Sequence, residues 1–355
     1  ARYMDLALNA SGLGYYRAPA RRFGREVDFV TAPEMSPLFA RCLARQIGQV
    51  LGHLGGGEVF EAGAGSGSLC ADLLNALDDL DKMPARYLIL EPSAALRARQ
   101  RETLELRAPR QISRVVWMDD LPAAGFTGVI LANELLDAIP APRFKKSANR
   151  VLEAFVCKRG GGFGWLYGAP EDDGIIESVA EIEAELGEPF ADGYTSELGH
   201  AREAWLSSAA GRLRRGAVLL LDYGYTLSEY YHPQRLDGTL ACYYRHRLHA
   251  DPFFWPGLQD ISVHVEFSGL CRAATAAGLD VAGFTSQAEF LIATGVLDAG
   301  EAPDPASLEF VRFANQIKRL TLPGEMGELV KVLALTRGTD RSLVGFSGRD
   351  YRDRL

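Results

Sequence analysis

Residues 59–69 read VFEAGAGSGSL, an apolar run that meets three glycines at alternate positions. The apolar residues predict a short buried strand, and GSLCADLLNAL (67–77) predicts a helix with its leucines on one face. Glycines between a strand and a helix let the backbone approach a bound ligand, and the start of the helix offers free N–H groups. The stretch therefore predicts a ligand-binding loop in an α/β fold.

The spacing of the glycines favours S-adenosyl-L-methionine (SAM) over a dinucleotide. A dinucleotide fingerprint, G-x-G-x-x-G, that began at Gly63 would need a third glycine where Ser68 stands, whereas Gly65 and Gly67 give G-x-G-x-G. SAM has no phosphate and needs steric room more than anion capture, and the preceding Glu61 also suits it. A dinucleotide, or a glycine turn needed only for packing, stays open at this point.

Strand and helix patterns alternate from residue 58 to residue 132 and predict a parallel sheet. Buried strands are expected again at 216–225 and 280–284, while 143–168 suggests an antiparallel hairpin. The simplest architecture is one doubly wound sheet with an insertion before its fifth strand. The loop region at 226–265 is too long for an ordinary connection, which favours a functional role.

These patterns predict four parts of the chain. They are an N-terminal extension or lid (1–57), the first half of the core (58–140), an inserted α+β subdomain on the substrate side (141–199), and the second half of the core with C-terminal helices (200–355).

Polar residues close three of the predicted strands, at the sheet edge where open α/β folds bind ligands. Glu91 can accept hydrogen bonds from the ribose hydroxyls of either ligand class. One of Asp119 and Asp120 can meet the adenine amino group, and Asn133 and Glu134 end the fourth strand. We therefore expect the ligand to lie across these strand ends.

The bulk properties exclude several classes of protein. A net charge of −8 argues against a nucleic-acid surface as the main function, although a local basic patch such as RFKK (143–146) could dock an acidic partner. No apolar run approaches the roughly 18 residues of a membrane span. The five cysteines are scattered, which favours buried thiols over a disulfide framework or a zinc site. No secretory signal is recognised, so we expect a bacterial cytoplasm rather than a mitochondrial matrix.

The chain resembles the MidA-like class I SAM-dependent methyltransferases, a family that includes the mitochondrial complex I assembly methyltransferase. Its loop has Ala62, Ala64 and Ser66 where the family usually has Leu, Pro and Arg. The most specific stretches are DFVTAPE and YYRHR…HVEF. The matching stretches are YMDLAL…GLGYY (3–16), DFVTAPEMSPLF (28–39), EAGAGSGSL (61–69), EPSAALRARQ (91–100), ANELLDAIP (132–140), LLDYGY (220–225), YYRHRLHADPFFWPGLQDISVHVEF (243–267), TSQAEFL (285–291) and LPGEMGELVKVL (322–333).

The resemblance implies a Rossmann-like, mostly parallel, seven-stranded sheet with extra N-terminal and inserted elements, and SAM at the glycine loop. It implies a lid over the cofactor from the DFVTAPE stretch and, for the mitochondrial member, methylation of an arginine on a complex I subunit. The residues expected to bind the cofactor are Thr31, Pro33, Glu34, Glu61, Gly63, Gly65, Gly67, Glu91, Pro92, Asp119, Asp120 and Asn133.

An arginine acceptor needs carboxylates, because its guanidinium is cationic and resists deprotonation. Glu134 is the first candidate, since it closes the fourth strand; Asp137 and Glu34 lie near the same edge. In the strand-like SVHVEF (262–267), His264 and Glu266 alternate and should share one face. The predicted catalytic residues are Glu134, Asp137, His264 and Glu266, although Asp137 could instead cap the following helix.

Two alternatives to a protein arginine methyltransferase remain. One is a methyltransferase for a small molecule. The other is a SAM-binding assembly scaffold with weak or no catalysis, because the cofactor motif does not by itself prove turnover. A nucleic-acid methyltransferase is disfavoured by the acidic composition and by NELLDAIP (133–140), which stands where an N/D-P-P-Y motif would be. We expect a protein substrate, with a complex I subunit as one candidate.

Overall fold

The computed structural model describes residues 1–18, 31–298, 302–340 and 342–355, so residues 28–30 of the DFVTAPE stretch lie outside the described residues. The strands are β1 (Glu58–Ala62), β2 (Tyr87–Leu90), β3 (Val115–Met118), β4 (Phe126–Asn133), β5 (Arg143–Ser147), β6 (Arg150–Arg159), β7 (Gly162–Gly168), β8 (Thr195–Glu197), β9 (Leu213–Tyr225), β10 (Ala241–Tyr244), β11 (Arg247–His249), β12 (Asp260–Ser262), β13 (Val265–Glu266), β14 (Asp280–Ser286) and β15 (Val330–Arg337). The α-helices are α1 (Arg2–Asn9), α2 (Ala32–Met35), α3 (Pro37–Leu54), α4 (Ser68–Asp79), α5 (Ala94–Arg107), α6 (Gly174–Leu186), α7 (His200–Arg212), α8 (Leu227–Tyr230), α9 (Phe267–Ala276), α10 (Gln287–Ala293), α11 (Leu308–Thr321) and α12 (Met326–Leu329).

The central sheet has the strand order β14-β15-β9-β4-β1-β2-β3, and the short β13 pairs beside the end of β9. Five neighbouring strands of this sheet, β3, β2, β1, β4 and β9, are parallel. β15 runs antiparallel to both β9 and β14. The seven strands in this order confirm the expected mostly parallel α/β sheet. The pattern of β15 does not by itself predict a strand, because VKVLALTR is buried on both faces and shows little alternation.

Helices cover both faces of the sheet, as a doubly wound fold requires. Successive strand residues such as Val129 and Ile130 belong to two separate apolar clusters, because side chains alternate across a strand. One cluster packs against α3, α4 and α10, and the other packs against α7 and α9. Within the described ranges, no helix is both long and apolar enough to cross a membrane.

The insertion after β4 forms a second, antiparallel sheet with the order β7-β6-β5-β8. The predicted hairpin is present, and Gly160 and Gly161 make its turn with φ of +56° and +85°. Helix α6 packs onto this sheet through Ile175, Val179 and Ile182, which form a cluster with Phe144 of β5.

The stretch at 226–265 is not the long loop that the sequence suggested. It holds α8 and a three-stranded sheet with the order β11-β10-β12. These strands are only three or four residues long, so they carry too little periodicity to be recognised. The expected strand over SVHVEF is also interrupted. Its chain leaves β12 after Ser262 and reaches β13 at Val265, and between them the N–H of Val263 donates to the carbonyl of Asp137 at 2.9 Å.

A buried arginine fastens this interrupted segment to the turn after β4. Arg202 of α7 donates through Nε to the carbonyl of Leu136 at 2.8 Å, and through Nη1 to that of His264 at 2.7 Å. Its Nη2 reaches the carbonyl of Val263 at 2.9 Å. One side chain therefore joins carbonyls from two separate loops.

We expect Arg202→Lys to lower the free energy of unfolding by about 3 kcal/mol, because lysine keeps the charge but cannot reach all these carbonyls. Urea denaturation measures the change. Arg214→Lys is the control, since Arg214 is exposed and donates only to Thr127 Oγ1 at 3.1 Å. Equal stability of the two variants would show that the Arg202 contacts contribute little.

Candidate cofactor and acceptor site

A cavity of 360 Å³ lies at the carboxyl ends of β1, β2 and β4. Its lining includes Glu134 and nine of the residues predicted to bind the cofactor. These nine are Thr31, Pro33, Glu34, Glu61, Gly63, Gly65, Glu91, Pro92 and Asn133. Gly67, Asp119 and Asp120 lie outside this lining.

The three glycines of the loop between β1 and α4 all have positive φ, but for different reasons. A Cβ on Gly63 would lie 2.8 Å from Cδ1 of Leu135, and one on Gly67 would lie 3.1 Å from Cα of Gln100. A Cβ on Gly65 would meet no atom within 4 Å. Gly63 and Gly67 therefore permit close packing, whereas Gly65 borders open space and leaves room for a ligand.

Gln100 of α5 joins the glycine loop to the end of β2. Its Nε2 donates to the carbonyl of Gly65 at 3.0 Å and to Oε2 of Glu91 at 3.2 Å, while its Oε1 accepts from Trp117 at 2.9 Å. The N–H of Ser93 donates to Oε1 of Glu91 at 2.9 Å. Sequence reasoning missed Gln100, because a glutamine in the polar helix AALRARQRETLELR looks like a solvated residue.

Two more carboxylates flank the glycine loop. Glu61 is buried and accepts from the hydroxyl of Tyr87 at 2.7 Å, and burial raises the pKa of Glu61 to about 7. Glu34, within α2, accepts from Oγ of Ser66. The contact between Glu34 and Ser66 joins the expected lid segment to the loop.

Glu134 follows β4 with a left-handed backbone at φ +48°, a conformation that is unusual for a glutamate. Its Oε1 accepts from the N–H of Ala32 at 3.2 Å and from Nδ2 of Asn133 at 3.3 Å. Burial, and after it the Asp137 carboxylate, raises the pKa of Glu134 to about 8. A left-handed backbone thus holds the Glu134 side chain at the cavity wall.

Asp222 of β9 holds the turn that follows Glu134. Its Oδ2 accepts from the N–H groups of Leu135, Leu136 and Asp137 at 3.2, 2.8 and 3.3 Å. Burial raises the pKa of Asp222 to about 7 in spite of these bonds. This residue was not predicted as part of the site, although an acid at the end of the apolar run LLLD was a usable signal.

Four carboxylates gather around this turn, and together they form what we call the carboxylate cluster: Glu134, Asp137, Asp222 and Asp260. Burial, and then the charges of Asp222 and Asp260, raises the pKa of Asp137. Asp260 accepts from the hydroxyls of Tyr16 and Ser262 at 2.7 and 2.8 Å. The neighbouring Arg202 gives its hydrogen bonds to carbonyls rather than to these acids. The cluster therefore gathers four acids beside a cation whose hydrogen bonds go elsewhere, and the raised pKa values of Glu134, Asp137 and Asp222 mean that protons are held there readily.

His264 and Glu266 are not among the residues that line this cavity. Glu266 caps α9, where its two carboxylate oxygens accept from the N–H groups of Ser268 and Gly269 at 2.6 and 2.7 Å. The ring of His264 stacks against Tyr223 with centroids 6.2 Å apart, and burial lowers the pKa of His264 to about 4. A catalytic role for these two residues stays a prediction without support from these contacts.

Asp119 and Asp120 follow β3 at the surface. Asp119 pairs with Arg97, and its side chain is 91% exposed. Asp120 is also exposed and accepts from the N–H of Leu121 at 2.7 Å. Their expected contact with adenine would require Asp119 or Asp120 to turn away from these positions.

The chain is similar to known proteins in both sequence and structure. Residues 42–285 match the model of a family described as "Putative S-adenosyl-L-methionine-dependent methyltransferase". The mitochondrial protein arginine methyltransferase NDUFAF7 homolog of Caenorhabditis elegans is 27% identical, over 83% of this chain and 72% of that protein. The Drosophila melanogaster homolog is 26% identical, over 95% of this chain and 81% of that protein.

A solved structure of a Burkholderia thailandensis protein bound to S-adenosyl-homocysteine is 43% identical to this chain. It superposes with a TM-score of 0.94 over 100% of this chain and 91% of that one. Because the family model covers more than half of the chain, the chain belongs to this family of SAM-dependent methyltransferases. The predicted family, enzyme class and cofactor are thereby confirmed.

If the cofactor uses Glu91 as expected, Glu91→Ala should weaken S-adenosyl-homocysteine binding by about tenfold or more, because the ribose hydroxyls lose a buried acceptor. Isothermal titration calorimetry measures the Kd. Asp119→Ala is the matched control and should leave the Kd within about twofold. A larger loss for Asp119→Ala than for Glu91→Ala would instead support the sequence-based adenine contact.

Proposed function

We propose that this methyltransferase transfers the methyl group of SAM to a guanidinium nitrogen of an arginine in a protein substrate. The observation that carries the proposal is the carboxylate cluster itself, four acids gathered beside the cavity. A buried group of acids with raised pKa values is stabilised when a cation binds among them. A guanidinium is the cation whose planar fork of donors suits several carboxylates.

The cavity fits SAM in size, position and chemistry. Its volume of 360 Å³ lies within the usual range of small-molecule sites, and it sits at the sheet edge where open α/β folds bind ligands. We assign Glu91 to accept hydrogen bonds from the ribose hydroxyls of the cofactor. Gly65 leaves open space for the cofactor, and Thr31, Pro33 and Glu34 form the lid. When bound, SAM supplies an activated methyl group on a sulfonium.

The cluster also accounts for the proton that the reaction releases. A protonated arginine that gains a methyl group forms an N–C bond, the C–S bond breaks with its electron pair left on sulfur, and one N–H proton must leave. We assign this proton to Glu134, because it lines the cavity and burial raises its pKa to about 8. Asp137 is assigned to hold the guanidinium in line with the methyl group.

The comparisons support the acceptor class. The worm and fly relatives are named protein arginine methyltransferases, at 27% and 26% identity. From the family resemblance, a respiratory complex I subunit is the protein we would test first. A cytoplasmic location stays a proposal from the sequence alone.

Labelled SAM and arginine-containing peptides test the reaction, and mass spectrometry locates the methyl group. We expect Glu134→Gln to reduce kcat by about 100-fold, because the proton acceptor is lost while the side chain keeps its shape. Glu177→Gln, in the exposed first turn of α6, is the control and should keep full activity. Cofactor binding without methylation of any arginine would favour the assembly-scaffold alternative.

The affinity for an arginine peptide should rise between pH 6 and pH 8. Glu134 is protonated below its pKa of about 8, and it must ionise to accept a guanidinium. Binding therefore releases a proton, and affinity can gain up to about tenfold per pH unit in this window. Calorimetry with S-adenosyl-homocysteine-loaded protein measures the Kd at each pH.

Two controls accompany this pH series. A peptide with citrulline, a neutral analogue of arginine, should bind with little pH dependence, and Glu134→Gln should flatten the profile for the arginine peptide. A flat profile for the wild-type protein would remove Glu134 from the acceptor site.

A further inference from the structure

The hairpin of β10 and β11 carries a cationic tip on an unusual turn. Tyr244 pairs with Arg247, so Arg245 and His246 form a two-residue turn, and their φ angles are +48° and +61°. Such turns ordinarily contain Asn or Gly, and a left-handed backbone costs about 1–2 kcal/mol for other residues. Strained backbone conformations of this kind are found most often at functional positions, which favours a function for this turn.

Exposed aromatic side chains lie beside this turn. Phe254 and Trp255 are 46% and 51% exposed, and their ring centroids are 5.5 Å apart. The ring of Phe254 also meets that of Tyr244 edge-on at 6.0 Å, and Trp255 has a left-handed φ of +52°. We call Tyr244–Arg247 together with Phe254 and Trp255 the tip surface.

The tip surface is continuous with the proposed acceptor site. Tyr16 lines the cavity, and its hydroxyl donates to Oδ1 of Asp260 at 2.7 Å. Asp260 pairs with Tyr243 across β12 and β10, and Tyr243 directly precedes the tip surface. A strand advances about 3.4 Å per residue, so the turn lies roughly 10 Å from the Asp260 pairing. A peptide with its arginine in the cluster can therefore reach the tip within a few residues.

We infer that the tip surface docks an acidic segment, containing apolar side chains, a few residues from the arginine that is methylated. The inference rests on the proposed function and adds the substrate class that the same site selects. Arg245 and Arg247 place positive charge at the surface of a chain whose net charge is −8. The carboxylate cluster begins close to this positive charge, because Asp260 pairs with Tyr243, one residue before the tip surface.

This arrangement of opposite charges favours a peptide over other polyanions. It attracts a segment that is acidic at one end and carries arginine at the other, and it sets the direction in which that segment binds. A nucleic-acid strand would carry phosphates toward the buried acids and be repelled. Asp251 also lies near the tip, and its carboxylate accepts from the N–H of Phe253 at 2.9 Å.

Docking is tested first without methyl transfer. The probe is a fluorescein-labelled peptide of alternating Glu and Leu with one Phe and no Arg, and fluorescence anisotropy measures its Kd. We expect the double variant R245E/R247E to weaken binding by about tenfold or more. The control R110E/R312E makes the same change in net charge at two exposed arginines elsewhere and should bind like wild type.

The result that overturns the inference is equal peptide affinity for wild type and R245E/R247E. Tighter binding of single-stranded RNA or of anionic phosphatidylserine vesicles than of the peptide, at the same salt concentration, overturns it as well. If R245E/R247E has a lowered midpoint of thermal unfolding, R245Q/R247Q is used in its place. The expected loss of affinity for the peptide is then smaller, but it is still absent in R110E/R312E.

A second measurement links docking to turnover. Arginine peptides with a Glu-rich flank and with the matched Gln-rich flank are compared by kcat/KM, and we expect wild type and R110E/R312E to prefer the Glu-rich peptide. R245E/R247E should lose this preference. Methylation of neither peptide would defeat the proposed function while the anisotropy result stands. Equal methylation of both by the wild-type protein would defeat the docking inference while the proposed function stands.

Discussion

The turn after β4 is held by a buried carboxylate on its N–H groups and by a buried guanidinium on its carbonyls. Asp222 accepts from three successive N–H groups that begin at Leu135, and Arg202 donates to the carbonyl of Leu136. A free turn of this length would solvate these groups with water. Both partners are buried, and the hydrogen bonds of the charged Arg202 guanidinium are among the stronger ones available, so these contacts fix the geometry of the turn.

This turn positions the residues that we propose to act on the acceptor. It supports Glu134 in a left-handed conformation at the cavity wall, and it lets Leu135 approach Gly63 so closely that a Cβ there would lie 2.8 Å from the leucine side chain. The glycine loop and the proposed acceptor site are thus two sides of one packed unit. Movement of the turn would displace the carboxylates and the cofactor loop together.

The sequence predicted those parts of the fold and site whose cause is local. The glycine pattern, Glu91 at a strand end and the Ser93 cap follow from a few neighbouring residues, and the structure shows the cap and the cavity as expected. Gln100 and Asp222 were missed because their partners lie far away in the chain. An acid that caps a helix and an acid that binds a substrate look alike in a sequence, which explains the assignment of Glu266 to the site.

Under the proposed function, the balance of charge accounts for the acids that are buried around one turn. Methyl transfer from SAM to arginine brings a sulfonium and a guanidinium close together, and two cations repel each other unless negative charge lies between or beside them. The raised pKa values of Glu134 and Asp222 mean that part of this charge is neutralised by protons before the substrates arrive. Binding of the second cation then ionises the cluster, so the proton acceptor becomes available in the complex in which both reactants are in place.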